Sequence, residues 1–241
     1  MKRFKLDFSF LIFLIFLFLS PKQYLILKLF LCLVLHELGH ITLILLFRYP
    51  IARLRISVFG FFLELDQTKE FFHKDFLIYL GGILTNLICY IFIPDLEMKR
   101  ISLFLIGINA LPIYPLDGFN ALKTLISYLF PYYYTSKGMV VLSLFLSGGL
   151  LCLGLVQQMD LYLIFSFGYL LFLNLDFLKK QKILFKKFLV HKALYRYSYP
   201  IKKIKFHEKY LQFLYKYHEI EIHLNQKVIT EVELLQMEKL L

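Results

Sequence analysis

Two histidines and a glutamate lie close together in an otherwise apolar stretch, "LVLHELGHIT", at residues 33–42. His36 and His40 are four residues apart, so a helix presents both imidazoles on one face, where both can reach one metal ion. Glu37 lies beside them and can take a proton from a water on that ion. The pattern predicts a zinc site with a general base. The alternative is a pair of hydrogen-bonded histidines inside a helix bundle.

The composition places this motif in a membrane. The chain is 59% hydrophobic and has a mean hydropathy of +0.65, which is more apolar than a typical soluble domain. Ionisable side chains are costly at membrane depth, and a divalent ion would compensate for that cost. The apolar stretches predict six membrane-spanning segments, at about 6–20, 24–47, 76–94, 101–130 (interrupted by "PIYP"), 138–157 and 161–178.

The basic residues predict the orientation of these segments. Lysine and arginine are concentrated before the first segment, after the second and after the sixth, so we expect both termini to be cytoplasmic. Ten of them, and no acid, lie between Lys179 and Lys205. Such a local basic segment is typical of a surface that faces anionic lipid, with a solvated tail as the alternative. It is too local to indicate a nucleic-acid-binding protein.

A third metal ligand is expected, because catalytic zinc usually has three protein ligands and one open position. Asp117 lies in "GINALPIYPLDGFNAL" (107–122), in the middle of the fourth apolar segment. Pro112 and Pro115 interrupt the helix there, and Gly118 frees the backbone just after the acid. A broken helix at membrane depth is tolerated where it lines a cavity. We therefore expect a non-helical turn to present Asp117. A helix-capping role for this residue is compatible with metal binding.

Residues 51–66 alternate between polar and apolar side chains, as a half-buried strand does. Folding this segment about its central glycine would place Arg55 opposite Glu64 and Arg53 opposite Asp66, and opposite charges stabilise such pairs. We expect a short β-hairpin in this register at the cytoplasmic interface of the membrane. The alternative is an irregular amphipathic loop.

Two of these motifs together resemble those of a known family. "HELGH" in one segment and "NALPIYPLDG" in a later one resemble the paired motifs of the site-2 protease family of intramembrane zinc metalloproteases. The family pattern N-x-x-P-x-x-P-L-D-G is met at each specified position from Asn109 to Gly118. Members often carry G-P-x-x-N in the third segment, where this chain has Gly82 and Asn86 but Ile83 in place of the proline. Within the family, the chain most resembles the stage IV sporulation protein FB branch, over about residues 1–178.

The resemblance implies a role for each matching residue. His36, His40 and Asp117 would bind one zinc ion, and Glu37 would be the general base. The residues that it implies for substrate binding are Asn109, Pro112, Pro115, Gly60 and Asn86.

The expected fold is a membrane all-α bundle of six transmembrane helices with a membrane-associated β-hairpin and a small α+β cytoplasmic tail module. The six-span domain covers residues 1–178, and a basic linker and the tail module cover 179–241. The tail pattern predicts strands at 201–206 and 219–224, a further strand after 227, and helices at 207–217 and 231–241. This order suits one truncated cystathionine-β-synthase-type motif, which the sporulation branch usually carries.

The expected function is regulated proteolysis of a membrane-embedded or membrane-tethered protein in the bacterial cell membrane. By resemblance, that substrate would be a transcription-factor precursor such as a sporulation sigma factor. The expected partners are this substrate, anionic lipid at the basic tail and inhibitory membrane proteins, with no nucleic acid. The alternative is a non-catalytic zinc-binding membrane protein, either a transporter or a scaffold. A transporter would need more ionisable groups along a path, and a degenerate protease would lack a ligand or the base.

Overall fold

A computed structural model describes residues 4–6, 23–49, 51–57, 60–65, 72–194, 201–205, 214–224 and 227–230. The expected first span, the expected final helix and most of the tail helix expected at 207–217 lie outside these residues. The chain forms two compact units, Met1–Leu111 and Pro112–Leu241.

The described residues of the first unit form three packed helices and a three-stranded sheet. Helices α1, α2 and α3 contact one another, and the strands are in the order β1-β2-β3. In chain order the elements are β1 (Phe4–Leu6), α1 (Gln23–Leu46), β2 (Ile51–Ser57), β3 (Gly60–Leu65), α2 (Phe72–Phe92) and α3 (Leu96–Asn109).

Two glycines determine how closely α1 and α2 approach each other. A β-carbon added at Gly81 would lie 2.9 Å from the carbonyl oxygen of Gly39, and one added at Gly39 would lie 2.9 Å from the carbonyl carbon of Gly81. The two backbones are therefore in direct contact, as small residues allow at helix crossings in membranes. The structure therefore gives Gly39 a role in the close packing of the two helices.

An ionic contact joins the start of α1 to the start of α3. Lys28 Nζ donates to Asp95 Oδ2 at 2.7 Å and to Glu97 Oε2 at 2.6 Å. Asp95 is also the N-cap of α3 and accepts a hydrogen bond from the Met98 amide at 2.8 Å. The hydrogen bond from Lys28 is the main cause that holds the pKa of Asp95 below its usual value. This end of the helix bundle is thus fixed by charge as well as by packing.

The strand register differs from the expected one. β2 and β3 are antiparallel, but Arg53 is paired with Glu64 and Arg55 with Phe62, so pairing Arg55 with Glu64 was wrong. The observed register differs from the expected one by two residues, and Gly60 begins β3 as the partner of Ser57. A shift of two leaves every side chain on its own face, so the alternating pattern alone cannot separate these registers. β1, which lies parallel to β2, was not predicted.

In the second unit, the residues that the structure describes form three helices and another small sheet. Its elements are α4 (Asp117–Leu129), α5 (Tyr132–Val156), α6 (Leu161–Leu194), β4 (Ile201–Lys205), β5 (Glu219–Leu224) and β6 (Lys227–Thr230). In the sheet, β4 is parallel to β5, and β6 is antiparallel to β5. The expected tail strands are therefore present at 201–205 and 219–224.

The expected break in the fourth apolar segment is present, and the end of the last long helix differs from the expected one. The fourth apolar segment is two short helices, α3 of 14 residues and α4 of 13, because Pro112 and Pro115 cannot continue the backbone hydrogen bonds of a helix. Helix α6 does not end at residue 178 but continues to Leu194, and it has 34 residues in all. Lysine and leucine are good helix formers, so the basic residues extend it. Within the described residues, α1, α2 and α5 are long and apolar enough to cross a membrane.

A buried polar network holds the segment between the two prolines. Asn174 Nδ2 on α6 donates to the carbonyl of Tyr114 at 2.9 Å, and the Tyr114 amide donates to Ser143 Oγ on α5 at 2.8 Å. Ser143 in turn donates to Asn174 Oδ1, and both side chains are 0% exposed. The Tyr114 ring stacks on Phe177 with centroids 4.1 Å apart. Non-helical backbone at membrane depth needs such partners.

We expect Asn174→Leu to destabilise the second unit. The substitution leaves the Tyr114 carbonyl and the buried Ser143 hydroxyl without this partner, and a buried polar group without a partner costs about 1–3 kcal/mol. Thermal unfolding of the purified protein in detergent should show a lower midpoint. Asn120→Leu is the matched control, because the Asn120 amide bonds only weakly to Leu116 of its own helix turn, at 3.5 Å. Equal midpoints for the two variants would contradict this role of the network.

Candidate metal centre

The two histidine rings converge on one point. His36 Nε2 and His40 Nε2 are 3.4 Å apart, and the ring centroids are 5.1 Å apart at an interplanar angle of 76°. Helix geometry explains the convergence, since residues four apart project from the same face of α1. His36 is 4% exposed. Two nitrogen lone pairs at this separation suit a single ion with Zn–N distances of about 2.0–2.1 Å.

Helix α2 lies directly against these two nitrogens at Gly82. A β-carbon added at Gly82 would overlap the imidazole of His36 and lie 2.5 Å from His40 Nε2. The glycine therefore leaves open the space where both ring nitrogens point. Any larger residue at this position would occupy that space itself.

The outer nitrogen of each ring is hydrogen-bonded to α2. His40 Nδ1 lies 2.6 Å from the carbonyl oxygen of Ile78. A carbonyl only accepts hydrogen bonds, so the neutral His40 ring carries its proton on Nδ1 and keeps the Nε2 lone pair for a metal ion. Nδ1 of His36 lies 2.9 Å from Asn86 Nδ2. Ile78, Gly82 and Asn86 are four residues apart and so form one stripe of α2 that faces the histidines.

The other two residues expected to take part in the chemistry, Glu37 and Asp117, both lie on helices. Glu37 follows His36 on α1 and is partly exposed. Asp117 is the first residue of α4 and is also partly exposed. The expected non-helical turn at Asp117 was wrong. The segment from Pro112 to Leu116 precedes the aspartate, and the helix restarts at the aspartate itself, where a carboxylate is favoured by the helix dipole.

The residues expected to bind substrate lie in several places. Asn109 is the last residue of α3, and its side chain donates to the Leu105 carbonyl of its own helix at 3.1 Å. Pro112 is partly exposed and Pro115 is exposed, on either side of the tethered Tyr114. Gly60 begins β3. Asn86 is different, because it is 0% exposed and contacts His36.

Comparison with known proteins identifies the architecture. No protein-family model matches the sequence, and no curated protein is similar enough to match it. Among solved structures, the chain is similar to the site-2 protease from Methanocaldococcus jannaschii, with a TM-score of 0.54 and 22% sequence identity. The match covers 72% of this chain and 89% of the other. The chain has the fold of a site-2 protease.

Within this site-2 protease fold, three supporting groups were not predicted from the sequence. They are the Ile78 carbonyl, which fixes the His40 ring, and the Ser143 and Asn174 side chains, which hold Tyr114. The backbone carbonyl has no signature in the sequence. Ser143 and Asn174 did have one, because a lone polar residue in an apolar span generally has a hydrogen-bonding partner inside the protein.

We expect Gly82→Ala to prevent metal binding. The added methyl would occupy the space between the two Nε2 atoms, so the loss of zinc affinity should exceed the roughly 10–100-fold loss typical of supporting residues. Competition with a chelator of known affinity measures this effect. Gly107→Ala on α3 is the control, because a β-carbon there meets nothing within 4 Å. A Gly82→Ala protein that binds zinc as tightly as this control would show that the metal does not sit over Gly82.

Proposed function

We propose that this chain is an intramembrane zinc metalloprotease of the site-2 type. The observation that carries the proposal is the pair of histidine Nε2 atoms 3.4 Å apart, set over a glycine in an apolar helix of a site-2 protease fold. Hydrogen-bonded outer nitrogens are typical of metal-ligating histidines. Helices α1 and α2, which carry the histidines and this glycine, are long and apolar enough to cross a membrane. The peptide bond that is cut therefore lies in or at the bilayer.

The proposed zinc ligands are His36, His40 and Asp117. Each offers one ligand atom, an imidazole nitrogen or a carboxylate oxygen. Two histidines and one carboxylate form a known donor set for catalytic zinc and leave one coordination position open. These donors are harder than the thiolates of structural zinc sites, so the set fits a catalytic ion better than a structural one.

In the proposed reaction, Glu37 is the general base. Bound zinc supplies a Lewis acid that polarises water and the scissile carbonyl. The Glu37 carboxylate accepts the proton that water loses on attack and then gives it to the leaving amine. The Glu37 side chain is partly exposed, so the surrounding helices do not enclose it completely. The outcome is hydrolysis of one peptide bond.

The substrate must be locally extended, because a helix hides its carbonyls in hydrogen bonds. Among the described strands of the first sheet, β3 has a neighbour on one side only. It also lies against α1, the helix that carries the histidines. We propose that an unwound substrate segment adds to β3 as a further strand, a common mode of peptide recognition.

Finer parts of the proposal rest on the sequence resemblance. The substrate is a membrane-tethered transcription-factor precursor, such as a sporulation sigma factor, in a bacterial membrane with both chain termini cytoplasmic. Co-expression with candidate precursors tests the substrate. Helix α6 exposes Lys179, Lys182 and Lys186 on one face, which supports binding of anionic lipid and can be measured by co-sedimentation with phosphatidylserine vesicles.

We expect Glu37→Gln to abolish cleavage and to keep zinc. The amide has the shape of the carboxylate but cannot accept the proton, and general base catalysis contributes typically 10²–10⁴-fold. The measurement is single-turnover cleavage of a membrane-tethered reporter in proteoliposomes, together with the zinc content of the protein.

The control is Glu97→Gln, which alters an exposed acid on α3 that contacts Lys28. It should cleave at the wild-type rate. Full cleavage by Glu37→Gln would refute the proteolytic mechanism, and zinc binding without any cleavage by the wild type would favour a transporter or scaffold.

We expect Asp117→Ala to lose most of its zinc, because only two protein ligands then remain. Zinc content per protein, measured after dialysis against a weak chelator, reports the loss. Asp176→Ala is the control, since Asp176 contacts Lys180 on the same face of α6 and is not a proposed ligand. An Asp117→Ala protein that retains a full equivalent of zinc would identify the third ligand as another residue.

A further inference from the structure

Asn86 lies at the contact between α2 and the metal-binding face of α1. Its side chain is 0% exposed, and Nδ2 donates to His36 Nδ1 at 2.9 Å. An asparagine in an apolar span is costly unless its amide is hydrogen-bonded. The position therefore points to a role in holding the histidine rather than to a surface for substrate.

The two histidines differ in what determines their tautomers. The partner of His40 is the Ile78 carbonyl, which accepts only, so its tautomer is fixed by the backbone. The partner of His36 is an amide, which has a donor end and an acceptor end. When the amide nitrogen faces Nδ1, the proton of the neutral ring lies on Nε2. When the amide oxygen faces Nδ1, the proton lies on Nδ1 and the Nε2 lone pair is available to a metal ion.

Nothing at the other end of the amide opposes a change of orientation. Asn86 Oδ1 is buried, and within the part of the chain that the structure describes it has no hydrogen-bond partner. Rotation of the amide by half a turn exchanges nitrogen and oxygen without altering the shape of the side chain, and it breaks no hydrogen bond made by the oxygen. The interaction with the His36 ring therefore determines whether the nitrogen or the oxygen of the Asn86 amide faces it.

We propose that Asn86 is a positioning residue that selects the metal-binding tautomer of His36, by turning its amide oxygen to accept a hydrogen bond from Nδ1–H. The inference rests on the proposed function, because it assumes that His36 Nε2 is a metal ligand. Asn86 itself does not touch the metal. Its rotation makes the two histidines equivalent, with Nδ1–H donated to α2 and Nε2 directed over Gly82.

Replacing the amide by groups of similar size separates this role from packing. Asn86→Leu fills a similar volume but accepts no hydrogen bond, so zinc affinity should fall roughly 10–100-fold, as for other residues that support metal ligands. Asn86→Asp always presents an acceptor to Nδ1, so it should retain zinc affinity within about threefold of the wild type, or raise it, since carboxylates are common partners of metal-bound histidines.

Zinc affinity is measured by chelator competition on the full chain in detergent, with the visible absorption of bound Co²⁺ as a second readout. Asn86→Leu should weaken the tetrahedral Co²⁺ spectrum at a fixed Co²⁺ concentration. Ser102→Ala is the control in the same unit, because Ser102 is equally buried and contacts Cys32 rather than either histidine. It should bind zinc like the wild type. Thermal unfolding of each variant identifies any that fails to fold.

A measurement on the wild type needs no substitution. The ¹⁵N chemical shifts of the imidazoles distinguish Nδ1–H from Nε2–H, and the zinc-loaded protein should show Nδ1–H for His36. A His36 ring that carries its proton on Nε2 in the zinc-loaded protein would overturn the inference. So would equal zinc affinity in Asn86→Leu and the wild type. A wild type that binds no zinc at all would instead overturn the proposed function.

Discussion

The close approach of α1 and α2 at Gly39 and Gly81 is the constraint on which the candidate metal centre depends. With backbone against backbone at this crossing, the next turns of α2 lie within hydrogen-bonding distance of the histidine rings on α1. A wider crossing would remove the Ile78 carbonyl from His40 and Asn86 from His36. The glycine at position 82 then leaves room for an ion. Packing, ring orientation and ligand geometry thus follow from one pair of small residues.

In the second unit, hydrogen bonds from two helices stabilise a non-helical segment. Its backbone is not helical around Tyr114, so the peptide groups there need partners that a continuous helix would have supplied. Ser143 and Asn174, from two different helices, provide them, and the aromatic stack with Phe177 fills the space beside them. The residues just before Asp117 are therefore held by α5 and α6 rather than left as a loose connection.

The sequence predicted most of what depends on local spacing. A separation of four residues is enough to place His36 and His40 on one face, and two prolines are enough to predict a helix break before Asp117. The strand register was not predictable in the same way, because charge alternation has a period of two and fits several registers equally well. The role of Asn86 depends on which residue of another helix it meets. That contact is set by helix packing, which the pattern of a single segment does not contain.

The anchored outer nitrogens of His36 and His40 have a consequence for the entropy of metal capture. A flexible site must order its ligands when the ion arrives, and ordering a side chain generally costs about 0.5–1.5 kcal/mol. Here both rings are ordered by hydrogen bonds that form as α1 and α2 pack. The entropy of the two side chains is therefore lost during folding, before any ion binds. A bound ion would then be needed for chemistry and not for building the site, in contrast to small zinc domains whose fold depends on the metal.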